Sequence, residues 1–492
     1  MLQRTSETAR TGALDFRDWL RELEETGHLV KIADEIDPLT EAGAIMRLAN
    51  ERLAPAQWFT NPKGAMRGST LLGGPFATKE RIAMAFGLPP ETSYSELTEA
   101  FAEALHGKRV KPKIISSGIC QENVLLGDDV DLGIFPVAKA HPQDGGPYIG
   151  TLNIGVCRNF DSDWVNWGTY RGMVQDRRST GLWLGPLNQG GQILKKYRAA
   201  NQVMEYAMFF GGDPMHNIMA SCGVPPEVSE VDVVGGVRGE PVELVRCKTV
   251  DLYVPANAEI VLEGTVSPGD DLPEGPFGEY PGYVVSGTNA RPVFRLSALT
   301  FRNDPILPTT CLGVPVDDSL MWVLEVASSV KQALRAKGVP IVDVAVPEFS
   351  GCHAVVVSTK TPFAGVPQLI ASVSWTDRNA SYFPYVIVVD DDVDPWNLGE
   401  VFHAICTKCN PIKDIHIYPG YTNSPLTPYI TTHPMREIGA GGGNVLFDCT
   451  WPIDLAPSDR PHRLAFKNTY PDAVKEMVLA NFARWGLQRK PV

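Results

Sequence analysis

The chain has 492 residues and a mass of 53.7 kDa, enough for roughly two to four ordinary domains, which excludes a small disulfide-stapled module. Hydrophobic residues make up 44% and charged residues 21%, and the mean hydropathy is −0.08, values typical of a soluble globular protein rather than a disordered one. The 44 Lys and Arg against 57 Asp and Glu give a net charge of −13, which argues against nucleic acid and anionic membranes as partners.

The nine cysteines are odd in number and scattered, which does not match an extracellular disulfide framework and indicates a reducing compartment. The N-terminal residues lack the apolar stretch of a signal peptide. The longest apolar runs, such as Tyr385–Val389, fall far short of the ~18 residues that a membrane span needs. We therefore predict a cytoplasmic protein without a targeting or membrane-spanning segment.

The first predicted region, residues 1–112, mixes helices and strands. A helix is predicted over residues 15–26, with Asp15 as its N-cap, an apolar face of Trp19, Leu20 and Leu23, and Gly27 after its end. A strand follows at 28–32, then helices at 40–53 and 95–105 around a short strand at 69–72. The pattern predicts an α/β segment.

The second predicted region, residues 113–305, has short β-rich runs, such as 149–156 and 242–247, separated by Gly, Pro and Asp. This spacing favours a barrel or a sandwich, interrupted by one helix at about 191–208. Residues 306–338 then form a predicted linker that contains a connecting helix at 319–336, whose apolar residues make a broad stripe.

The third predicted region, residues 339–492, alternates strands at 341–346, 353–358 and 385–389 with helices near 367–373, 398–407 and 471–485, which indicates an α/β domain. The last helix carries a large apolar face of Val474, Met477, Val478, Phe482 and Trp485. Such a face predicts docking on a partner subunit and hence an oligomer. Packing of the helix on its own domain is the alternative.

Two segments carry candidate chemistry. In residues 274–283, Glu274 and Glu279 are held by Gly and Pro in a turn, a costly arrangement for two carboxylates unless a cation or protons offset their repulsion. Residues 166–171 form a strand-like run that presents Asn166 and Arg171. Taken alone, the first segment could equally be a solvated surface turn, and the second would be ordinary.

Taken together, these residues resemble the UbiD family of decarboxylases, which use prenylated FMN (prFMN). The resemblance covers nearly the whole chain and rests on motifs in the right order at 144–149, 166–171, 228–230, 274–279 and 385–391. It implies an N-terminal α/β segment, a split β-barrel flavin-reductase-like domain that binds prFMN, a connecting helix, and a C-terminal α/β domain that oligomerises.

The resemblance assigns catalysis to Arg171, Glu274 and Glu279. Loss of CO2 leaves a carbanion that needs an electron sink, and no standard side chain provides one, so a cofactor is required. Arg171 would clamp the substrate carboxylate while Glu274 neutralises and aims the guanidinium. Glu279 would deliver the proton that replaces CO2, which requires a carboxyl that is partly protonated near neutral pH.

The resemblance also implies a cofactor site that contains a divalent ion, Mn²⁺ or Mg²⁺, and a K⁺ ion. The implied cofactor-binding residues are Asn166, Trp167, Thr169, Tyr170, Arg171, Asn188, Glu230 and Arg378, of which Asn166, Asn188 and Glu230 are the expected metal ligands. Asn188 stands where the family has a His. An amide oxygen suits either ion, so the metal either persists in an all-oxygen shell or is bound more weakly while Asn188 contacts the phosphate. The K⁺ ligands are expected at Trp167 and the carbonyls of 220–222, with Lys408 nearby.

The substrate is expected to be a small aromatic acid, because the neighbours of the catalytic residues are apolar and aromatic: Leu184, Leu187, Tyr280, Met321 and Trp322. Residues 166–171 and 449–452 look more like the hydroxybenzoate branch of the family than the cinnamate branch. The favoured reaction is therefore reversible nonoxidative decarboxylation of 3,4-dihydroxybenzoate to release CO2. The implied partners are a flavin prenyltransferase that supplies the cofactor and further copies of this chain in a dimer or hexamer. The open alternatives are a heteroaromatic or aryl-CoA acid decarboxylase and a noncatalytic flavin-binding subunit of a carboxylase complex.

Overall fold

The computed structural model describes residues 15–186, 188–315, 317–420, 423–430 and 442–487. Its N-terminal elements are α1 (Phe16–Glu25), β1 (Leu29–Ile36), α2 (Ala42–Glu51), β2 (Ala56–Pro62), β3 (Thr70–Gly73), α3 (Lys79–Ala85) and α4 (Tyr94–His106). Asp15 caps α1 as predicted, because its Oδ1 accepts a hydrogen bond from the N–H of Arg17 at 2.8 Å.

The middle of the chain is mainly strands. Its elements are β4 (Lys113–Ile115), β5 (Asn123–Leu126), β6 (Tyr148–Gly150), β7 (Ile154–Arg158), β8 (Val165–Gly168), β9 (Gly172–Asp176), β10 (Ser179–Leu182), α5 (Gln189–Ala199), β11 (Met204–Phe210), α6 (Pro214–Ser221), α7 (Glu230–Arg238), β12 (Glu243–Arg246), β13 (Tyr253–Pro255), β14 (Ile260–Glu274), β15 (Asn289–Phe301) and β16 (Ile306–Thr309). Eight of these strands form an antiparallel sheet in the order β6-β9-β10-β15-β14-β11-β7-β8, and β5 pairs with β15 as the ninth. This sheet is the split barrel, and Tyr206, Phe210 and Phe294 lie buried in its core.

The predicted helix at 191–208 is wrong in its second half. The helix α5 ends at Ala199, and residues 204–210 form β11, which pairs with β7 and β14. Five of its seven residues, from Tyr206 to Phe210, are consecutively buried, and a short apolar run of this kind has no period that separates a strand from a helix.

The C-terminal elements are α8 (Leu320–Ala336), β17 (Ile341–Ala345), β18 (Ala354–Thr359), α9 (Val366–Thr376), β19 (Tyr385–Asp390), α10 (Leu398–Lys408), β20 (Ile415–Pro419), β21 (Gly443–Cys449), α11 (Phe466–Thr469) and α12 (Asp472–Phe482). The five strands form one mixed sheet in the order β17-β18-β19-β21-β20, with β18, β19 and β21 parallel. The mixed α/β architecture agrees with the predicted fold class. Within the described ranges, every helix is too short or too polar to cross a membrane.

Two features join the N- and C-terminal parts. The strand β16, which follows the barrel, pairs in parallel with β3 and completes the sheet β1-β2-β3-β16. The helix α8 then packs in a single hydrophobic core with Trp19 of α1, Phe101 of α4 and Val357 of β18. The predicted connecting helix is therefore buried between two bodies.

Candidate active site

The centre of the site is Arg171, which lies just before β9 at the rim of the barrel. Its Nε and Nη2 donate hydrogen bonds to Oε1 and Oε2 of Glu274 at 2.9 and 2.8 Å, and its Nη1 pairs with Oε1 of Glu279. Glu274 ends β14, and Glu279 follows in the turn toward β15. The bidentate pair fixes the plane of the guanidinium, and the second carboxylate occupies its remaining nitrogen.

The three charged side chains are almost fully buried. The exposed fractions of the side chains are 9% for Arg171, 0% for Glu274 and 7% for Glu279. The guanidinium lies 5.0 Å from the ring centre of Phe277 and 5.3 Å from that of Trp183, so aromatic faces shield it from water. The hydroxyl of Tyr148 donates a hydrogen bond to Oε1 of Glu274 at 2.8 Å, which further fixes that carboxylate.

Burial and neighbouring charges shift the pKa values of Glu279 and Arg171. Desolvation raises the pKa of Glu279, and the attraction of Arg171 offsets this only in part. Burial alone would lower the pKa of Arg171, but the charges of Glu279 and Glu274 outweigh it and raise that pKa, so the guanidinium stays charged. One cation thus faces two carboxylates, and burial favours the neutral form of Glu279.

A cavity of about 850 Å³ opens in front of this cluster. It lies where the barrel, α8 and the C-terminal domain meet, since its wall includes Thr169, Met321 and Leu426. Of the sequence-predicted site residues, the wall contains Asn166, Trp167, Thr169, Tyr170, Arg171, Asn188, Glu279 and Arg378, together with Tyr280 and Trp322. The hydroxyl of Tyr280 lies 2.8 Å from Oγ of Ser424, which ties the C-terminal segment to the cavity.

Two of the expected residues do not line the cavity. Leu184 packs against the barrel core. Lys408 pairs with Asp390 at the end of β19, and its expected place near K⁺ stays a prediction. Leu187 lies outside the described residues.

Two of the three residues expected to bind the metal, Asn166 and Glu230, form a second polar cluster beside the cavity. Asn166 Oδ1 accepts a hydrogen bond from the Tyr170 hydroxyl at 2.8 Å. Glu230, the first residue of α7, accepts the N–H of Trp167 at 2.8 Å and lies 3.4 Å from Asn166 Nδ2. Burial raises the pKa of Glu230 to about 8. Asn166 and Glu230 therefore lie together, as the sequence predicts.

The position of Asn188 differs from that expectation. Asn188 is the N-cap of α5, and its Oδ1 accepts the N–H of Gly191 at 2.7 Å. The neighbouring Gln189 instead contacts Asn166, because its Oε1 accepts a hydrogen bond from Asn166 Nδ2 at 2.8 Å. The sequence analysis did not single out Gln189, which begins α5 and also lines the cavity.

The other residues expected to bind the cofactor or K⁺ also lie at the cavity wall. Arg378 lies at the cavity wall, where its Nη1 donates to the carbonyl of Val224 at 3.3 Å. Residues 220–222 line the same wall as Trp167. Among the residues described, no three His, Cys, Asp or Glu side chains form a metal-binding group.

Comparison with known proteins identifies the family. Three models named for 3-octaprenyl-4-hydroxybenzoate carboxy-lyase match the chain: the N-terminal domain at residues 20–101, the Rift-related domain at 113–315 and the C-terminal domain at 319–449. The chain belongs to the UbiD family. Within this family it is 32% identical to the pyrrole-2-carboxylic acid decarboxylase of Pseudomonas aeruginosa and to ferulic acid decarboxylase 1 of Saccharomyces cerevisiae, in each case over 96% of this chain and 98% of the relative.

Solved structures of UbiD-class proteins share the fold. HmfF from Pelotomaculum thermopropionicum in complex with FMN superposes with a TM-score of 0.84 and is 26% identical, covering 95% of this chain and 100% of its own. The 3,4-dihydroxybenzoic acid decarboxylase of Klebsiella pneumoniae superposes with a TM-score of 0.82 and is 25% identical, covering 94% and 99%. This UbiD-family chain therefore has the multidomain α/β architecture of that class over nearly its full length.

Proposed function

We propose that this protein catalyses the reversible nonoxidative decarboxylation of an aromatic carboxylic acid with prFMN as its cofactor. The observation that carries the proposal is the buried cluster of Arg171, Glu274 and Glu279 at the wall of the 850 Å³ cavity. A buried cation between two carboxylates is costly to maintain for structure alone. The family membership and the decarboxylase names of the relatives support the same reaction.

The residues of the cavity are compatible with a flavin phosphate and its metal. Arg378 supplies a cation at the wall, and the amide and carboxylate oxygens of Asn166 and Glu230 suit Mn²⁺ or Mg²⁺, with an amide oxygen of Asn188 or Gln189 as the third donor. The carbonyls of 220–222 beside Trp167 are the proposed K⁺ ligands. The bound cofactor would supply the electron sink that the carbanion needs.

The side chains of the protein orient the substrate, exclude water and transfer the proton. Arg171 orients the substrate carboxylate, since its plane is fixed by Glu274 and its charge is maintained by both carboxylates. The aromatic rings around it keep water from the carbon that loses CO2. Glu279, with its raised pKa, donates the proton that takes the place of CO2, and in the reverse direction it accepts that proton.

The favoured substrate is 3,4-dihydroxybenzoate. The cavity wall is aromatic at Tyr280 and Trp322 and carries polar groups at Thr310 and Ser424 that suit ring hydroxyls. A heteroaromatic acid is the second candidate, since a relative at 32% identity is a pyrrole-2-carboxylic acid decarboxylase, and ferulic acid belongs in the same panel.

The test uses protein co-expressed with a flavin prenyltransferase and supplied with Mn²⁺ and K⁺. Mass spectrometry measures bound prFMN, and CO2 release is followed with 3,4-dihydroxybenzoate, pyrrole-2-carboxylate and ferulate. Bound cofactor with release from the first acid supports both parts of the proposal. Release from another acid moves the substrate assignment, and absence of flavin would favour a noncatalytic subunit.

A further inference from the structure

A second, smaller cavity lies on the other side of Glu279. Its volume is about 300 Å³, and its wall includes Arg47, His141, Gly278, Glu279, Val284 and Val314. Glu279 and Leu312 also line the 850 Å³ cavity. Glu279 therefore stands in the wall between the two cavities.

The small cavity is open to solvent at its mouth and polar inside. Tyr283, Val284 and Val314 at the mouth are 60%, 42% and 42% exposed, whereas Glu279 at the inner end is 6% exposed. Arg47 and Glu51 form an ion pair of 3.6 Å at the wall. A polar cavity of this size with an open mouth holds water.

The wall beside Glu279 is held by two residues that the decarboxylation scheme does not use. Asp144 Oδ1 accepts the N–H of Gly278 at 2.8 Å, and the ring of His141 lies so close to Gly278 that a Cβ there would be 2.4 Å from Nδ1. The His141 ring also approaches Asp144 Oδ2 and Cys311 Sγ, each at 3.6 Å. The peptide that precedes Glu279 is thereby fixed in position.

Each turnover consumes one proton from solvent. Glu279 transfers its carboxyl proton to the carbon from which CO2 has left and becomes a carboxylate, which must be protonated again before the next cycle. In the proposed reaction the larger cavity would hold the cofactor and the substrate, so the small cavity would give solvent a separate approach to Glu279.

We propose that the small cavity is the route by which water returns a proton to Glu279. This inference rests on the proposed function. In the step, a water in the small cavity gives a proton to the Glu279 carboxylate, and a proton from bulk solvent enters through the mouth to replace it. In the carboxylation direction the same path releases the proton.

The test blocks the mouth without touching the larger cavity. Val284→Trp fills the opening, and Val203→Trp, at a position that is 50% exposed before β11, is the matched control. With prFMN bound, V284W should lower kcat on the order of tenfold with KM unchanged and should raise the solvent isotope effect in D2O, because proton return becomes rate-limiting. The control should match the wild type in both.

A second readout needs no turnover. The infrared band of the protonated Glu279 carboxyl, identified by its loss in E279Q, is followed after mixing into D2O at mildly acidic pH, with FMN and 3,4-dihydroxybenzoate added. Exchange should be slower in V284W than in V203W. Val314→Trp, on another part of the mouth, replaces V284W if that variant does not retain flavin.

The outcomes separate the two hypotheses. Equal isotope effects and equal exchange in the blocked and control variants would overturn the proton route. If the wild type releases CO2 from no acid, the proposed function fails, while the exchange comparison still decides whether solvent protons reach Glu279 through the small cavity.

Discussion

At the scale of single residues, the proposed role of Glu279 as proton donor gives the most direct prediction. Glu279→Gln keeps the shape of the side chain and removes its proton, so we expect kcat to fall by about 10² to 10⁴ while prFMN stays bound. Mass spectrometry of the flavin and CO2 release measure the two effects.

In the wild type, kcat should fall as the pH rises through the pKa of Glu279, because the donor must be protonated.

The control for this substitution is Glu25→Gln, an exposed glutamate at the end of α1. It makes the same chemical change far from the cavity and should leave kcat unaltered. Full activity of E279Q would remove the assignment of Glu279 as proton donor.

Two substitutions test whether Asn188 or Gln189 supplies the third oxygen ligand of the proposed metal site. Because Gln189 Oε1 contacts Asn166, an expected metal ligand, whereas Asn188 Oδ1 caps α5, we expect Gln189→Ala to weaken Mn²⁺ binding more than Asn188→Ser does. Serine is a good N-cap, so N188S keeps the helix end and removes only the reach of the amide. Titration with Mn²⁺, followed by calorimetry in flavin-loaded protein, measures both affinities, and a larger loss in N188S would favour Asn188 as the ligand.

That Arg171, Glu274 and Glu279 lie together could be predicted from the resemblance to the UbiD family, which rests in part on the motifs at 166–171 and 274–279. Gln189 could not, since no pattern in the sequence distinguishes an amide that caps a helix from one that points into a cavity. His141 and Asp144 were missed for a similar reason: their contact with Gly278 joins positions more than 130 residues apart.

At the scale of elements, the helix α12 has no buried residue within the described part of the chain. Met477 is 48% exposed, Phe482 40% and the following Trp485 46%, so the alternative of packing on its own domain does not cover this face. We expect the face to dock on another copy of the chain. Met477→Glu with Phe482→Glu should then shift the protein to a smaller species in light scattering coupled to gel filtration.

The matched control on α12 is Glu476→Lys, which changes the charge of the helix but leaves its apolar residues unchanged. A monomeric wild type, or an unchanged mass in the double variant, would contradict docking through this helix. The homo-oligomer itself stays a prediction.

The longer helices could be predicted from capping residues and periodicity, and α8 is predicted to within one residue at its start. The error at β11 has a physical cause, because a fully buried strand lacks the alternation that identifies a half-buried one. Its conformation is decided by pairing with β7 and β14, which are remote in sequence.

At the scale of the whole molecule, Lys331 of α8 is a junction between the N-terminal and C-terminal parts. Its Nζ lies 2.8 Å from Glu99 of α4 and 2.7 Å from Asp343 of β17, and its side chain is 1% exposed. Lys331→Met removes the cation and leaves two carboxylates facing each other. We expect a loss of about 3 kcal/mol in stability, visible as a lower midpoint of thermal unfolding.

Arg335→Met is the comparison, since Arg335 pairs with the same Glu99 at 2.9 Å but is 42% exposed. A surface pair of this kind contributes at most about 1 kcal/mol. Equal midpoints for K331M and R335M would show that the buried junction does not hold the two parts together.

The order of the three regions along the chain could be predicted from changes in composition and periodicity. Two other features could not be predicted. One is the pairing of β16 with β3, and the other is the cavity formed where the barrel, α8 and the C-terminal domain meet. Both depend on contacts between distant segments, which local patterns do not encode.

The helix α8 has a geometric consequence for the choice of substrate. Its first turn places Met321 and Trp322 in the cavity wall, and its later turns carry the Lys331 junction to β17. Because Lys331 pairs with Glu99 on one side and Asp343 on the other, α8 is held to both bodies. The position of Met321 and Trp322 at the cavity wall therefore depends on how α8 packs against both bodies, and substitutions remote from the cavity can alter the space left for an aromatic ring.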